Sequence, residues 1–540
     1  MKKIRQTLNF LTTISILLLL MGVHTVPVRA EAVGGFQYVV HYVKPDGDGD
    51  CLSWATACDL QTALSNIPDQ IWVAAGVYKP TTTGDREASF QLESGVRIYG
   101  GFPAPGGAWE TRDWEANPTI LSGDIGTEGD ASDNSYHVVS ADGVNRLAVL
   151  DGFTITGGTA DMPDNDPNRS GAGMYNLNSN PTLANLQFID NSARYGAGMY
   201  NNQSSPELTN VTFTANILSV GGIGAGMYNV NQSSPILTDV TFSENGTSFE
   251  GGGAMVNETQ SSPTLTNVSF MDNLGGGMVN QDDSNPTLTH VVFSGNESMI
   301  GGGMKNESSS PTLTDVIFNE NVGSRGGGMY NNLSHPSLTN VIFSGNTAND
   351  NPDPSFIGIG GGMANYYGSS PTLTNVTFSG NTAEGYGGGL YNAQNCVPTL
   401  TNVTFWGNVA GTSGGGIAII DDEGGTTLKN SILWGNIPEQ INNDAGGSLT
   451  VSYSVIEGVD VYPGEGNIND DPLLGELADN GGFSMTHALL EGSPAIDAGD
   501  PGICPDTDQR GIARPQGEFC DMGAYEYVES NKTFLPLLLR

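Results

Sequence analysis

Between residues 171 and 436 the apolar and polar positions recur in a fixed order. The unit reads Gly-Gly-Gly-Met-Tyr-Asn, then Ser-Ser-Pro-Thr-Leu-Thr-Asn-Val-Thr-Phe, then Ser-Gly-Asn. Its register is marked by Pro181, Pro206, Pro235, Pro263, Pro286, Pro311, Pro336, Pro371 and Pro398, at spacings of 25, 29, 28, 23, 25, 25, 35 and 27 residues. A further unit from Leu428 to Asn436 lacks the proline, and the variation in length falls in loops such as the one at 349–357. Within a unit the apolar residues alternate with period two, which is the signature of strands. In Thr372-Leu373-Thr374 the Leu points inward; in Val376-Thr377-Phe378 the Val and Phe do. The inward parity therefore shifts at Asn375, where the chain has to bend. A third short strand carries an inward Met363. Three short strands and three bends per unit, with no helical segment, predict an all-β fold: a right-handed parallel β-helix, or solenoid, of about 25 residues per rung. At ~4.8 Å per rung a dozen rungs make a rod roughly 60 Å long.

Polar residues recur as strictly as apolar ones. One asparagine follows the inward Phe in each unit: Asn191, Asn216, Asn245, Asn273, Asn296, Asn321, Asn346, Asn381, Asn408 and Asn436. Stacked asparagines bond to the rungs above and below, and Asn tolerates the left-handed backbone of a bend, so this row is expected to be a structural ladder. The glycine triplets suit tight corners with positive φ; no helix follows them, which excludes a phosphate-cradling loop. Ahead of the repeats the strands are more varied, as in 71–74, 96–99 and 150–155. Residues 31–160 are read as an N-terminal cap plus the first irregular rungs. Asp59 to Ile67 is the best helix candidate and a plug for the open end of the core, which would otherwise present a sheet edge.

Composition narrows the classes. Charged residues make up only 14% of the chain while Gly numbers 75, so polarity comes from Asn, Ser and Thr, which argues against disorder. The start reads as a secretory signal: Lys2, Lys3 and Arg5, an apolar run from Ile14 to Met21, and a small-residue cleavage site at Val28-Arg29-Ala30. No later stretch is long and apolar enough to span a membrane. The formal net charge is −39, and −43 once the first 30 residues, with four basic and no acidic side chains, are removed. Such a surface repels nucleic acid and anionic lipid. All five cysteines follow the signal, in an oxidising compartment. Cys51 with Cys58 and Cys504 with Cys520 are the expected local disulfides, although four cysteines admit more than one pairing; Cys396 is left as a buried thiol.

Two family resemblances rest on these residues. Phe-x-x-Asn together with Gly-Gly-(Gly/Ala)-Met, over roughly 150–436, resembles the repeats of the chlamydial-type polymorphic outer membrane proteins, within the pectin-lyase-like β-helix group. Those proteins end in a membrane β-barrel, and only about 100 residues follow the last repeat here, which argues against autotransport. The end of the chain resembles the choice-of-anchor Q domain of bacterial surface proteins, through Gly492-Ser493-Pro494-Ala495-Ile496-Asp497-Ala498-Gly499-Asp500, Asp508-Gln509-Arg510-Gly511, Arg514-Pro515 and Asp521-Met522-Gly523-Ala524-Tyr525-Glu526-Tyr527. That resemblance implies surface display. The expected organisation is a signal peptide at 1–30, a cap with irregular rungs at 31–160, a repeat β-helix at 161–456, a small C-terminal domain at 457–527 and a tail at 528–540.

Candidate chemistry is sparse. Glycosidases on this fold use carboxylate pairs, and the visible pairs are Asp282-Asp283 and Asp421-Asp422, both at bends. Between 171 and 436 the basic residues other than His are Arg194, Lys305, Arg325 and Lys429, and none sits in a lyase motif. Asp46, Asp48 and Asp50 open like a calcium loop, but the sixth position is Cys51 rather than Gly and the twelfth Ala57 rather than Glu. No zinc spacing and no nucleophile elbow is present. Tyr175, Tyr200 and Tyr228 follow the inward Met on three consecutive rungs, and Tyr330 and Tyr391 repeat the position; an outward aromatic strip of this kind stacks on sugar rings. The expectation is a secreted or cell-surface protein acting in adhesion or glycan binding, without catalysis. It needs no cofactor beyond a possible Ca2+, and its partners are polysaccharides or cell-surface glycans. The alternatives are a polysaccharide-degrading hydrolase or lyase and a structural surface-layer component.

Overall fold

From Thr182 to Ser344 each repeat has an eight-residue strand, such as Thr264–Met271 or Thr287–Ser294, and later repeats split it in two, as in Thr372–Thr374 with Thr377–Ser379. Its third inward-outward step is interrupted by one residue with φ near +55°: Asn267, His290, Asp315, Asn340 and their equivalents. This is the parity shift seen at Asn375, which has φ 53°. Asn and Asp tolerate the left-handed region because their short side chains bond locally. The bend lets Leu, Val and Phe of one continuous strand all point inward.

The computed structural model describes residues 38–162, 167–246, 252–350, 357–420, 424–444 and 446–529. The expected signal peptide, the end of the tail, and Asp421 and Asp422 lie outside the described residues. Successive long strands pair in parallel and in register, for example Thr264↔Thr287 and Phe270↔Phe293. They form a 21-stranded sheet, and the Met-x-Asn strands form a second sheet of 13. Short strands at the third side complete the coil, which makes about 15 turns. From Pro181 to Pro398 the mean rung is about 27 residues rather than 25, the excess lying in the turns.

The core is a set of columns. Phe188, Phe213, Phe242, Phe270, Phe293, Phe318, Phe343, Phe378 and Phe405 stack with centroids 4.6–4.9 Å apart and planes within 6°. The third glycine of each triplet lies against this column. A Cβ at Gly303 would fall 2.7 Å from Phe318 Cδ1, so only glycine lets the corner close over the ring. The first glycine, as at Gly301 with φ 67°, takes the left-handed turn.

Three polar columns accompany the apolar ones. From Asn191 to Asn436 each Nδ2 donates to the Oδ1 of the next rung at 2.8–3.1 Å. From Asn176 to Asn392 a second buried column does the same at 2.8–2.9 Å. From Ser179 to Ser369 each backbone N–H donates to the next serine Oγ at 2.9–3.1 Å. Within these columns each amide finds a partner in its own translational copy, and only the first of the second column, Asn176, keeps an unpartnered Oδ1; this is what allows polar side chains inside.

The two ends are closed differently. Cys51 is bonded to Cys58, and the helix Leu60–Ser65, capped by the Asp59 side chain on Thr62 N–H, buries Leu60, Ala63 and Leu64 in the main core. After the last rung the chain adds an antiparallel pair, Leu474–Ala478 with Thr486–Leu489, and returns along the flank of earlier rungs. Asn375, Asn402 and Asn430, the bend residues of three rungs, donate to the carbonyls of Thr507, of Asp521 and Gly523, and of Ile503. Thr377 donates to Gln509, and Ala524 N–H donates to Thr404 Oγ1. Cys504 is bonded to Cys520 within this segment.

Candidate functional site

The outward residue of the Met-x-Asn strand decides the character of one lateral face. Tyr175, Tyr200 and Tyr228 occupy it on the strands Met174–Leu177, Met199–Asn202 and Met227–Val230, directly opposite one another. Their rings lie 5.4 Å and 5.6 Å apart from neighbour to neighbour. They do not form a flat exposed strip. Residues ahead of the glycine corners fold over one side: Tyr195, the last residue of the strand Ser192–Tyr195, stacks on Tyr228 at 5.7 Å, and the Arg169 guanidinium lies 4.5 Å from the Tyr195 ring centre. The result is a cleft of about 580 Å³ lined by Pro167, Arg169, Ser170, the four tyrosines, Ile223, Glu258 and Gln281.

Polar groups sit at fixed places in this cleft. The Tyr228 hydroxyl donates to Glu258. Burial, reinforced by Glu258, pushes the Tyr228 phenol well above its ordinary range. Burial and the neighbouring Tyr175 push Tyr200 up to about 12. Both remain hydroxyl donors at neutral pH, and neither has the depressed pKa of a general base. At one end His137 packs 4.9 Å from the Tyr175 ring, its Nδ1 3.1 Å from the Gly171 carbonyl oxygen. Burial pushes this imidazole below its usual range.

Tyr330 and Tyr391 stand apart from the other three. Two rungs with outward valines, Val256 and Val279, and then Lys305 intervene. Tyr330 and Tyr391 pack on either side of Tyr366, at 5.6 and 5.5 Å, and are only 5% and 8% exposed. Arg325 lies over Tyr366 at 5.6 Å. This second group is covered by its neighbours throughout, whereas in the first Tyr228 is equally covered, at 7% exposed, and Tyr175 and Tyr200 are half-buried.

The carboxylate candidates are scattered. Asp282 and Asp283 are exposed on a bend with φ 55° and 60°. They line a separate shallow concavity with Thr259, Gln260 and Ser308. Asp46 sits in a turn with φ 56°, and Asp50 accepts from Leu52 N–H. Among the described residues no group of three or more His, Cys, Asp or Glu converges as a metal site. Ser379 and His487 approach at 2.9 Å with His487 Nδ1 on the Gly475 carbonyl, but both are buried under the C-terminal segment. Tyr195, Arg169 and Glu258 are functional candidates that the repeat pattern does not flag: the first two precede glycine corners in segments that differ from rung to rung, and Glu258 takes a repeat position held by Val230 and Gln281 on the neighbouring rungs.

A family model described as "Right handed beta helix region" matches residues 137–322, and the fold is a right-handed parallel β-helix. Among solved structures, pectate lyase Pel9A is 13% identical, with a TM-score of 0.27, covering 92% of this chain and 98% of that one. The A-module of a mannuronan C-5 epimerase from Azotobacter vinelandii is 12% identical, with a TM-score of 0.28, covering 76% and 97%. The catalytic unit of a GH87 α-1,3-glucanase from Streptomyces thermodiastaticus is 13% identical, with a TM-score of 0.32, covering 78% and 69%. No curated protein sequence matches. Among the described residues no helix is long and apolar enough to cross a membrane.

Proposed function

We propose that this chain is a secreted or cell-surface β-helix protein that binds glycans without turning them over, and that the tyrosine cleft is its binding site. The observation that carries this reading is the register of Tyr175, Tyr200 and Tyr228 on consecutive rungs, with one flank open to solvent. Aromatic faces offer the apolar C–H side of a pyranose a stacking surface. The protonated phenols, Arg169, Glu258 and Gln281 supply donors and acceptors for hydroxyls around it. The chemistry of hydrolysis supports the non-catalytic side: it takes two carboxylates ~5–9.5 Å apart, and among the described residues Glu258 is the single carboxylate lining the cleft. Surface display follows from the resemblance of residues 492–527 to the anchor domain and from the N-terminal signal. With a net charge of −43 after cleavage, nucleic acid is not a partner.

The test uses mature protein, residues 31–540, titrated calorimetrically against plant, algal and bacterial polysaccharides, with parallel assays for new reducing ends and unsaturated products. Binding without products is expected. Tyr200→Ala should weaken it roughly tenfold, equivalent to about 1.4 kcal/mol, with the far-UV spectrum unchanged. Equal affinity in the variant would remove the cleft as the site, and turnover on any substrate would replace binding with catalysis.

A further inference from the structure

The loop from Gly123 to Ser135 holds oxygen atoms that nothing among the described residues satisfies. Asp124 Oδ1, Asp133 Oδ1, Asn134 Oδ1 and Ser135 Oγ are all buried without a hydrogen-bond partner. Asn134 is 7% exposed and Ser135 is fully buried. Four such atoms within twelve consecutive residues is far from the usual state of a folded protein, where buried polar atoms are paired.

The two carboxylates are aimed into the same turn. Asp124 Oδ2 accepts from Gly129 N–H at 3.1 Å, and Asp133 Oδ2 accepts from Thr127 N–H at 2.8 Å. Each therefore spends one oxygen on the turn and keeps the other buried and bare. Gly126 makes the approach possible: a Cβ there would sit 2.3 Å from Asp133 Oδ2 and 2.9 Å from Oδ1. The Asn134 amide is fixed beside them. Its Nδ2 donates to the Gly157 carbonyl at 2.7 Å, and a Cβ at Gly157 would lie 3.5 Å from Asp124 N and 3.8 Å from Asn134 Nδ2. Ser135 N–H closes the loop on the Gly123 carbonyl at 2.8 Å. Among the described residues neither aspartate is in an ion pair. Arg86, which reaches this region, is committed to the carbonyls of Asn134 and Thr159 and to Asp161.

We propose that this loop is a calcium site, with Asp124, Asp133 and Asn134 as side-chain ligands and Ser135 as a further oxygen donor. Two carboxylates, an amide oxygen and a hydroxyl, with no nitrogen or sulfur, are the donors a hard divalent cation takes, and a flexible loop suits Ca2+ better than the stricter octahedron of Mg2+. Bound calcium takes up the buried, unpartnered oxygen of each carboxylate and fixes the loop ahead of the strand Val139–Asp142. The acidic turn at Asp46, Asp48 and Asp50 lacks this feature, since none of its carboxylate oxygens is buried and unpartnered.

Calcium alone is the probe. Mature protein stripped with a chelator should take up one Ca2+ per chain, with Kd no weaker than roughly 10⁻³ M, the range of extracellular modules. Asp124→Asn and Asp133→Asn should each lower the affinity at least tenfold, and Asp48→Asn should leave it unchanged. Hydrogen exchange on the unmutated protein gives a readout independent of variant folding: calcium should slow exchange across 123–135 and leave 46–50 as it was. The proposal is overturned if the stripped chain binds no calcium, if both loop variants keep wild-type affinity, or if protection appears at 46–50 instead.

Discussion

An asparagine side chain inside a rung answers to three neighbours at once. Asn296 donates through Nδ2 to the Phe270 carbonyl at 3.0 Å and to Asn321 Oδ1 at 2.9 Å, and accepts from Asn273 Nδ2 at 2.9 Å. Truncating it takes the Asn296 Oδ1 acceptor from the Asn273 backbone N–H and the Nδ2 donor from the Phe270 carbonyl, and leaves Asn273 Nδ2 and Asn321 Oδ1 with one partner each; such buried losses cost about 1–3 kcal/mol each. Asn296→Ala should therefore cost about 3 kcal/mol or more, read as faster hydrogen exchange centred on the rungs of Asn273 and Asn321. The row beginning at Asn191 was legible because it follows an inward Phe at a constant offset. The row beginning at Asn176 was carried by the same repeats but went unread: alternation places it inward beside Met, where a lone amide would be rejected. Only its stacking on copies of itself makes that position acceptable.

The C-terminal segment shows what a motif does as an element. Asp508 binds the Arg510 guanidinium, and Arg514 binds Glu526 at 3.1 Å while donating to the carbonyls of Asp521 and Gly523. Glu526 accepts from Gln516 and Asp521 N–H, and Asp521 from Asp497 N–H. The residues that carry the anchor-domain resemblance thus hold this segment together, and Gln509, Asp521, Gly523 and Ala524 among them also meet the rungs. Their dock was not legible, because Thr377 and Thr404 look in sequence like every other outward threonine. Burial, with Glu526 adding to it against the pull of Arg514, raises Asp521 to about 7 from an ordinary 3.8. A carboxyl raised on folding favours the folded state most below its unfolded pKa, and that contribution is lost as pH rises from about 4 through 7. Protection of residues 508–527, corrected for intrinsic exchange, should be higher at pH 5 than at pH 8. Asp521→Asn should flatten the difference.

For the whole molecule the coil was readable and the cleft only half so. The tyrosine row belongs to the repeat, whereas Arg169 and Tyr195 come from segments ahead of the glycine corners whose lengths vary from rung to rung, and Glu258 shares its repeat position with Val230 and Gln281, so nothing but its charge sets it apart. Two of the five tyrosines in the row belong to a second, closed group, a distinction made by the valines at 256 and 279.

The amide columns have one more implication. Every link donates toward the C-terminal end and accepts from the other, so each rung offers its successor the same socket it received. Such a chain has no intrinsic length; it can be spliced. Thr287 and Thr312 occupy equivalent places one turn apart, so excising residues 287–311 should let the two cut faces mate and yield a shorter coil with a β-sheet spectrum and a cooperative melt. Excising about half as many residues should leave donors facing side chains that cannot receive them, and yield aggregate. A protein built this way can change its reach by whole turns without redesigning anything inside.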